Sequence, residues 1–444
     1  MVSAGFGRFV WSFCAAWVLC AGAGAYGQNL APESVPSLTQ PDFPQAKLSV
    51  SERPHPEYDQ VGYRFASYIL KPTIAVSETL DSNILGSSSF EQSDFFTSVK
   101  PSVSLDSDWR SNAISFYAEG DIARYARYTS ENVDNFLLRG SGRLDIEREQ
   151  TLTLDASYQV EHESRYSPES QAAVSLAGGG NYAIHPTEYA LTTAQLTYVY
   201  SPSRLGFEIA ASVNNFAFNN EQTLNGGLAI NSDRNRNEFV VTPRVSYELT
   251  PGYQVFVEGW GNRREYDSKF DATPGHFQRS SSGYAVATGG EVNIGDVLTG
   301  ELYIGYQDQM YDDDRLSSNA GVYLGGSVLW NITPLTSLRL TVTRSIQETI
   351  LVGSSGFWDT EINVTAEHEL LRNIILTAQV GYSINDYQGI DRNDSTVAGA
   401  LGARWKFTQV YSVGVSGEIQ HRSSNLDVNS FTRALVAVDL RAGF

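Results

Sequence analysis

The chain has 444 residues, with 50 acidic against 31 basic side chains, a formal net charge of −19 and 41% apolar residues. A polytopic helical membrane protein is excluded, because it needs several runs of about 20 apolar residues and only one apolar run exists, at the N-terminus. The acid excess repels phosphate and disfavours a nucleic-acid partner, while 12% aromatics and abundant strand formers argue against disorder.

Residues 1–27 carry Arg8, an apolar core from Phe9 to Ala21 and the small-residue end Ala25-Tyr26-Gly27. This is the layout of a secretory signal peptide, with cleavage expected after Gly27. Cys14 and Cys20 both fall inside it, so the exported chain is expected to hold no disulfide and no thiolate metal site. Residues 28–64 follow as a Pro-rich periplasmic lead-in, with Pro32, Pro36, Pro41, Pro44 and Pro54 and no periodicity. Such a segment reads as extended or flexible, too short and irregular for a plug domain.

Residues 65–444 alternate with period two. Phe136, Leu138, Gly140, Gly142, Leu144 and Ile146 point one way, and Leu137, Arg139, Ser141, Arg143, Asp145 and Glu147 the other. The pattern returns in Leu205-Phe207-Ile209, Phe239-Val241-Val245, Ile374-Leu376-Ala378 and Tyr411-Val413-Val415. Period two means strands with one apolar and one polar face. Their length suits a tilted bilayer crossing, which takes about 9–11 residues, better than the soluble mode of about 5–6.

Short connections such as Ser201-Pro202-Ser203 and Thr250-Pro251-Gly252 alternate with long ones near 81–92, 164–188, 217–237, 266–282 and 347–357. Short turns on one side and long loops on the other predict an all-β, transmembrane, antiparallel up-and-down β-barrel in the cell outer membrane. The connections give about 18 strands, with 16 as the alternative. The long loops, especially 164–188 and 217–237, could fold inward and narrow the pore.

In the last strand Val436, Val438, Leu440 and Ala442 alternate with Ala437, Asp439, Arg441 and Gly443 before Phe444. An aromatic end after alternating apolar positions resembles the signal recognised by barrel-insertion machinery, with Phe444, Leu440, Val438 and Val436 as its residues. Tyr247, Tyr253, Trp330, Trp405 and Tyr411 cluster near the short turns, and Phe239, Tyr284, Tyr306, Trp358 and Tyr382 near the long loops. Two such belts suit two lipid–water interfaces.

The polar faces define a candidate lumen. Its acids are Glu119, Asp121, Asp145, Glu147, Asp155, Glu208, Glu248, Glu258, Glu301 and Glu361, and its bases Arg139, Arg143, Arg244, Arg339 and Arg404. Buried unpaired charge costs several kcal/mol, so such an interior is wet or filled by polar protein. The acid excess predicts a modest cation preference, unless the charges pair into a neutral network. Rows such as Arg139, Arg143 and Arg244 could instead hold an anionic sugar chain.

Catalysis has little support. His55, His162, His185, His276, His368 and His421 show no metal-ligand spacing, no Gly-rich phosphate loop is present, and no cofactor or metal is expected. Neighbours such as His162-Glu163-Ser164 arise often by chance.

The stretches Lys71-Pro72-Thr73-Ile74-Ala75-Val76-Ser77-Glu78-Thr79-Leu80, Lys100-Pro101-Ser102-Val103-Ser104-Leu105 and Gly142-Arg143-Leu144-Asp145-Ile146-Glu147-Arg148 resemble the family called putative β-barrel porin 2. So does Glu163-Ser164-Arg165-Tyr166-Ser167-Pro168-Glu169. The resemblance implies a Gram-negative outer-membrane barrel, often in exopolysaccharide settings, with no catalytic residues to carry over. The leading expectation is a porin passing hydrophilic solutes. Alternatives are an exit duct for exopolysaccharide or capsule, with periplasmic export components and polysaccharide as partners, and a closed surface scaffold or adhesin.

Overall fold

The computed structural model describes residues 48–167, 183–295 and 297–444. The expected signal peptide, its cysteines and residues 28–47 lie outside them. The strands are β1 (Tyr68–Asp81), β2 (Asp94–Ser107), β3 (Ala113–Tyr125), β4 (Val133–Glu147), β5 (Gln150–His162) and β6 (Glu188–Tyr200). Next come β7 (Leu205–Phe218), β8 (Arg236–Thr250), β9 (Tyr253–Tyr266), β10 (Ser281–Ile294), β11 (Leu298–Tyr311) and β12 (Asn319–Thr333). The last are β13 (Thr336–Gln347), β14 (Gly356–Leu371), β15 (Ile374–Gln388), β16 (Asn393–Lys406), β17 (Tyr411–Ser424) and β18 (Phe431–Gly443).

Each strand pairs antiparallel with the next, and β1 pairs with β18 from Thr73↔Gly443 to Asp81↔Leu435. The result is a closed barrel of 18 strands, the leading expectation over 16. Closure leaves no sheet edge, so each strand's backbone is satisfied by its neighbours, as hydrocarbon requires. Strands run 12 to 16 residues. The outer face exposes Phe207, Ile209, Val241, Val257, Ile304, Val380, Leu401 and Val415, and the alternate residues turn polar groups inward, giving the period of two its physical meaning.

The four residues of the terminal signal, Val436, Val438, Leu440 and Phe444, all lie exposed on the outer face. Trp330, Trp405, Tyr411, Tyr247 and Tyr253 ring the short-turn end, and Phe239, Tyr284, Tyr306 and Tyr382 the long-loop end. Trp358 departs from the belt expected of it, because it is buried. Pairing between β12 and β13 stops at Leu324↔Arg344. Trp358 fills the opening beyond, against Gly321, with the Arg344 guanidinium 4.7 Å over its ring.

The described part of the lead-in is ordered. A three-residue strand, Tyr63–Phe65, folds back on Tyr68–Leu70, so the barrel proper begins at Tyr68. Before it, residues 48–60 pack against the barrel wall, with Ser49, Val50 and His55 buried. The Pro-rich composition conceals this because the segment is held by far-off side chains and has no periodicity of its own.

Candidate functional site

The candidate site is the barrel interior and its two mouths. Glu119 accepts a hydrogen bond from Tyr117 at 2.5 Å, and Asp121 from Ser98 at 2.6 Å while pairing with Lys100 at 2.8 Å. Arg139 pairs with Asp155 at 3.6 Å, Arg143 with Asp145 at 3.1 Å and Arg404 with Asp439 at 3.0 Å. Glu208 stands opposite Arg244 in the β7–β8 register, Glu248 opposite Gln254, and Glu361 two residues from Asp359 on the inner face of β14. Glu147 ends β4 at a register shift and is exposed on the turn, so it belongs to the rim rather than the wall. Many of these acids are committed to partners, so a good part of the wall is a network of pairs.

Arg244 joins two buried acids of that network. Its guanidinium donates to Glu258 at 2.8 Å and to both oxygens of Glu301 at 2.9 and 3.1 Å, and lies 3.9 Å over the Phe256 ring. Phe256 belongs to an inward cluster with Val240, Trp260, Ala285, Ala287, Tyr303 and Tyr323. Here the polar face of the sequence hides an aromatic layer. The rings fit because glycines face them: an added Cβ would lie 2.4 Å from Phe256 at Gly289 and 2.3 Å from the Tyr303 hydroxyl at Gly325. The signal available was the phase of Phe256 and Trp260, which share the face of Glu258.

At the long-loop mouth two connections fold inward. From the loop between β13 and β14, Glu348 reaches back to β9 and β11, pairing with Arg264 and accepting from Tyr266 at 3.1 Å and Tyr311 at 3.5 Å. Arg279 fixes this loop through the carbonyls of Thr349, Ser354 and Leu351 at 2.5, 3.1 and 3.2 Å. From the loop after β5, Tyr166 reaches β1 and β18, donating to Asp81 at 3.0 Å beneath the Arg433 guanidinium. Glu163 of the same loop pairs with Arg234 at 2.9 Å. On the rim, Arg315 binds Asp313 at 2.6 Å and the carbonyls of Gly275 and His276 at 2.9 and 2.8 Å. This bridge holds the Asp313 carboxyl well below the usual carboxylate range.

At the short-turn mouth residues 48–60 form a strap that follows the wall from β12 to β1. Asn331 donates to the Leu48 carbonyl at 3.5 Å, the Val50 amide to Ser337 Oγ at 2.9 Å, and the Ser51 amide and hydroxyl to Glu367 at 2.9 and 2.7 Å. Glu52 pairs with Arg339 at 3.3 Å, His55 with Glu369 at 3.2 Å and Asp59 with Lys406 at 2.9 Å. Gln409 donates to the Pro56 carbonyl at 2.7 Å, and Gln60 to the carbonyls of Pro72 and Phe444 at 2.8 and 2.7 Å. Arg339, read from the sequence as a lumen base, thus serves as a strap anchor. No group of three or more His, Cys, Asp or Glu side chains that could hold a metal occurs among the described residues.

Residues 55–444 match the family model described as Putative beta-barrel porin 2. No curated protein matches the chain. Among solved structures, Pseudomonas aeruginosa OpdK with vanillate is 10% identical, with a TM-score of 0.45, covering 84% of this chain and 99% of that one. A mutant of the ferric enterobactin receptor PfeA from the same organism is 9% identical, with a TM-score of 0.43, covering 84% of this chain and 80% of that one.

Proposed function

The chain belongs to the putative β-barrel porin 2 family, which implies the outer membrane, and from that premise we propose that it is a passive channel for small hydrophilic solutes. The observation that carries the reading is the closed barrel with a lipid-facing apolar wall and an inner wall of charges of both signs. A barrel of this strand number is wide enough for water, and porin families are typically non-enzymatic. The inward loops would set an outer constriction, and the strap would narrow the periplasmic mouth. Solutes would cross by diffusion, sorted by size and by paired wall charges that offer polar contacts without one deep binding site.

The test is single-channel conductance of the refolded protein in a planar bilayer, repeated with an acidic polysaccharide on one side. Steady ohmic conductance that the polymer leaves unchanged supports the porin. Block at low polymer concentration would replace it with a lumen built for a sugar chain. A folded, heat-modifiable barrel that stays silent would point to the loops and a scaffold role.

A further inference from the structure

We propose that the strap, residues 48–60, is a displaceable gate of the periplasmic mouth, an inference that rests on the channel reading and adds its regulation. Its C-terminal end runs into a backbone hairpin, while its other attachments to the barrel all use side chains. Anchors near its C-terminal end, Gln60 to the Pro72 and Phe444 carbonyls and Asp59 to Lys406, tie it beside the β1–β18 seam. The chain then turns through Gly62, whose φ of +74° is a left-handed conformation that glycine adopts without strain, and enters the barrel by the short hairpin. That end is a pivot fixed to the wall. The other end, from Leu48 to His55, is held by side-chain contacts to β12, β13 and β14: Ser337, Arg339, Glu367, Glu369 and Asn331.

No backbone ladder joins that end to the barrel among the described residues; every one of these contacts uses a side chain. Each such polar exchange contributes little net, because water replaces it when the strap leaves. Ion pairs such as Glu52–Arg339, with the Arg339 side chain 32% exposed, are screened by salt. The apolar hold is Val50, with its side chain fully buried, and little else. A segment fastened at one end by a pivot and at the other by replaceable contacts moves as a unit, and its departure uncovers Ser337, Arg339, Glu367 and Glu369 at the pore mouth.

The test exploits the absence of cysteine from residue 21 onward. The Val50 amide donates to Ser337 Oγ at 2.9 Å, which sets the two residues side by side and makes them the pair to cross-link. In the chain with Cys14 and Cys20 changed to Ser, oxidation of the pair Val50→Cys/Ser337→Cys should lock a low conductance, and reductant in the same bilayer should restore switching to a level at least twofold higher. Glu52→Ala, which keeps the wall intact, should lengthen the time in the high level, and more so in low salt where the wild-type pair is strongest. Equal, steady conductance in the oxidised and reduced pair would overturn the gate and leave the channel standing. Silence in both states would overturn the channel reading and the gate with it. Should the cysteine pair fail to fold, Glu52→Ala and Glu367→Gln decide: dwell times identical to wild type for both would overturn the gate.

Discussion

The Arg244 junction gives the sharpest energetic prediction. Glu258 and Glu301 are 5% and 1% exposed, so Arg244→Ala strands two carboxylates in a site water hardly reaches. Breaking one partner out of a buried pair costs about 3–5 kcal/mol. The expected loss at pH 7 is therefore about 3–5 kcal/mol. The assay is urea unfolding of the protein refolded in vesicles, followed by heat-modifiable gel mobility. Adding Glu258→Gln and Glu301→Gln should restore at least half the loss, since it removes the stranded charge. A single variant within about 0.5 kcal/mol of wild type at pH 7 would refute the reasoning, as would a loss the glutamines do not relieve.

Other outcomes follow from the same geometry. Gly325→Val puts carbon against the Tyr303 hydroxyl, where an added Cβ already lies 2.3 Å away, and should cost about 1–3 kcal/mol by overpacking in the same unfolding assay. Asp313, held below the ordinary carboxylate value by Arg315, contributes order to its loop that is fully present above the ordinary value of about 4. That order is lost only as pH falls through the lowered folded value. A spin label on Ser318 should therefore keep one mobility from pH 7 to about pH 4, whereas in Asp313→Asn it should be mobile throughout; early loosening near pH 6 in wild type would contradict this. Phe444→Ser, which alters an exposed outer-wall ring, should lower the amount of barrel assembled in cells several-fold while refolding in vesicles stays normal. Equal cellular levels would remove Phe444 from the insertion signal.

What was legible in the sequence follows from where the forces are local. Alternation such as Phe239-Val241-Val245 against Arg244 and Glu248 is dictated by lipid on one side and water on the other, so strands, faces and strand number could be read one segment at a time. The same parity put Glu119, Asp155, Arg244, Glu301 and Arg404 on the inner wall. It could not say that Arg244 would join Glu258 and Glu301 from three different strands, because partner choice is set by register and not by composition. The strap was hidden for a related reason. Val50 and Ser337 lie 287 positions apart, and nothing within 48–60 announces a surface that exists only when β12 to β17 stand side by side. Trp358 misled because an outward aromatic near a loop ordinarily meets the membrane interface; here the neighbouring strands part and the ring fills the gap.

The bond from Gln60 to the Phe444 carbonyl also sets an order in time. Its acceptor directly follows the strand that seals the barrel, and its companion acceptor, Pro72, belongs to the first strand across the seam. Before those two strands meet, Gln60 lacks one of its two carbonyls. The full set of strap fastenings therefore exists only once the barrel is closed, and completing that bond can serve as the molecule's own marker of closure.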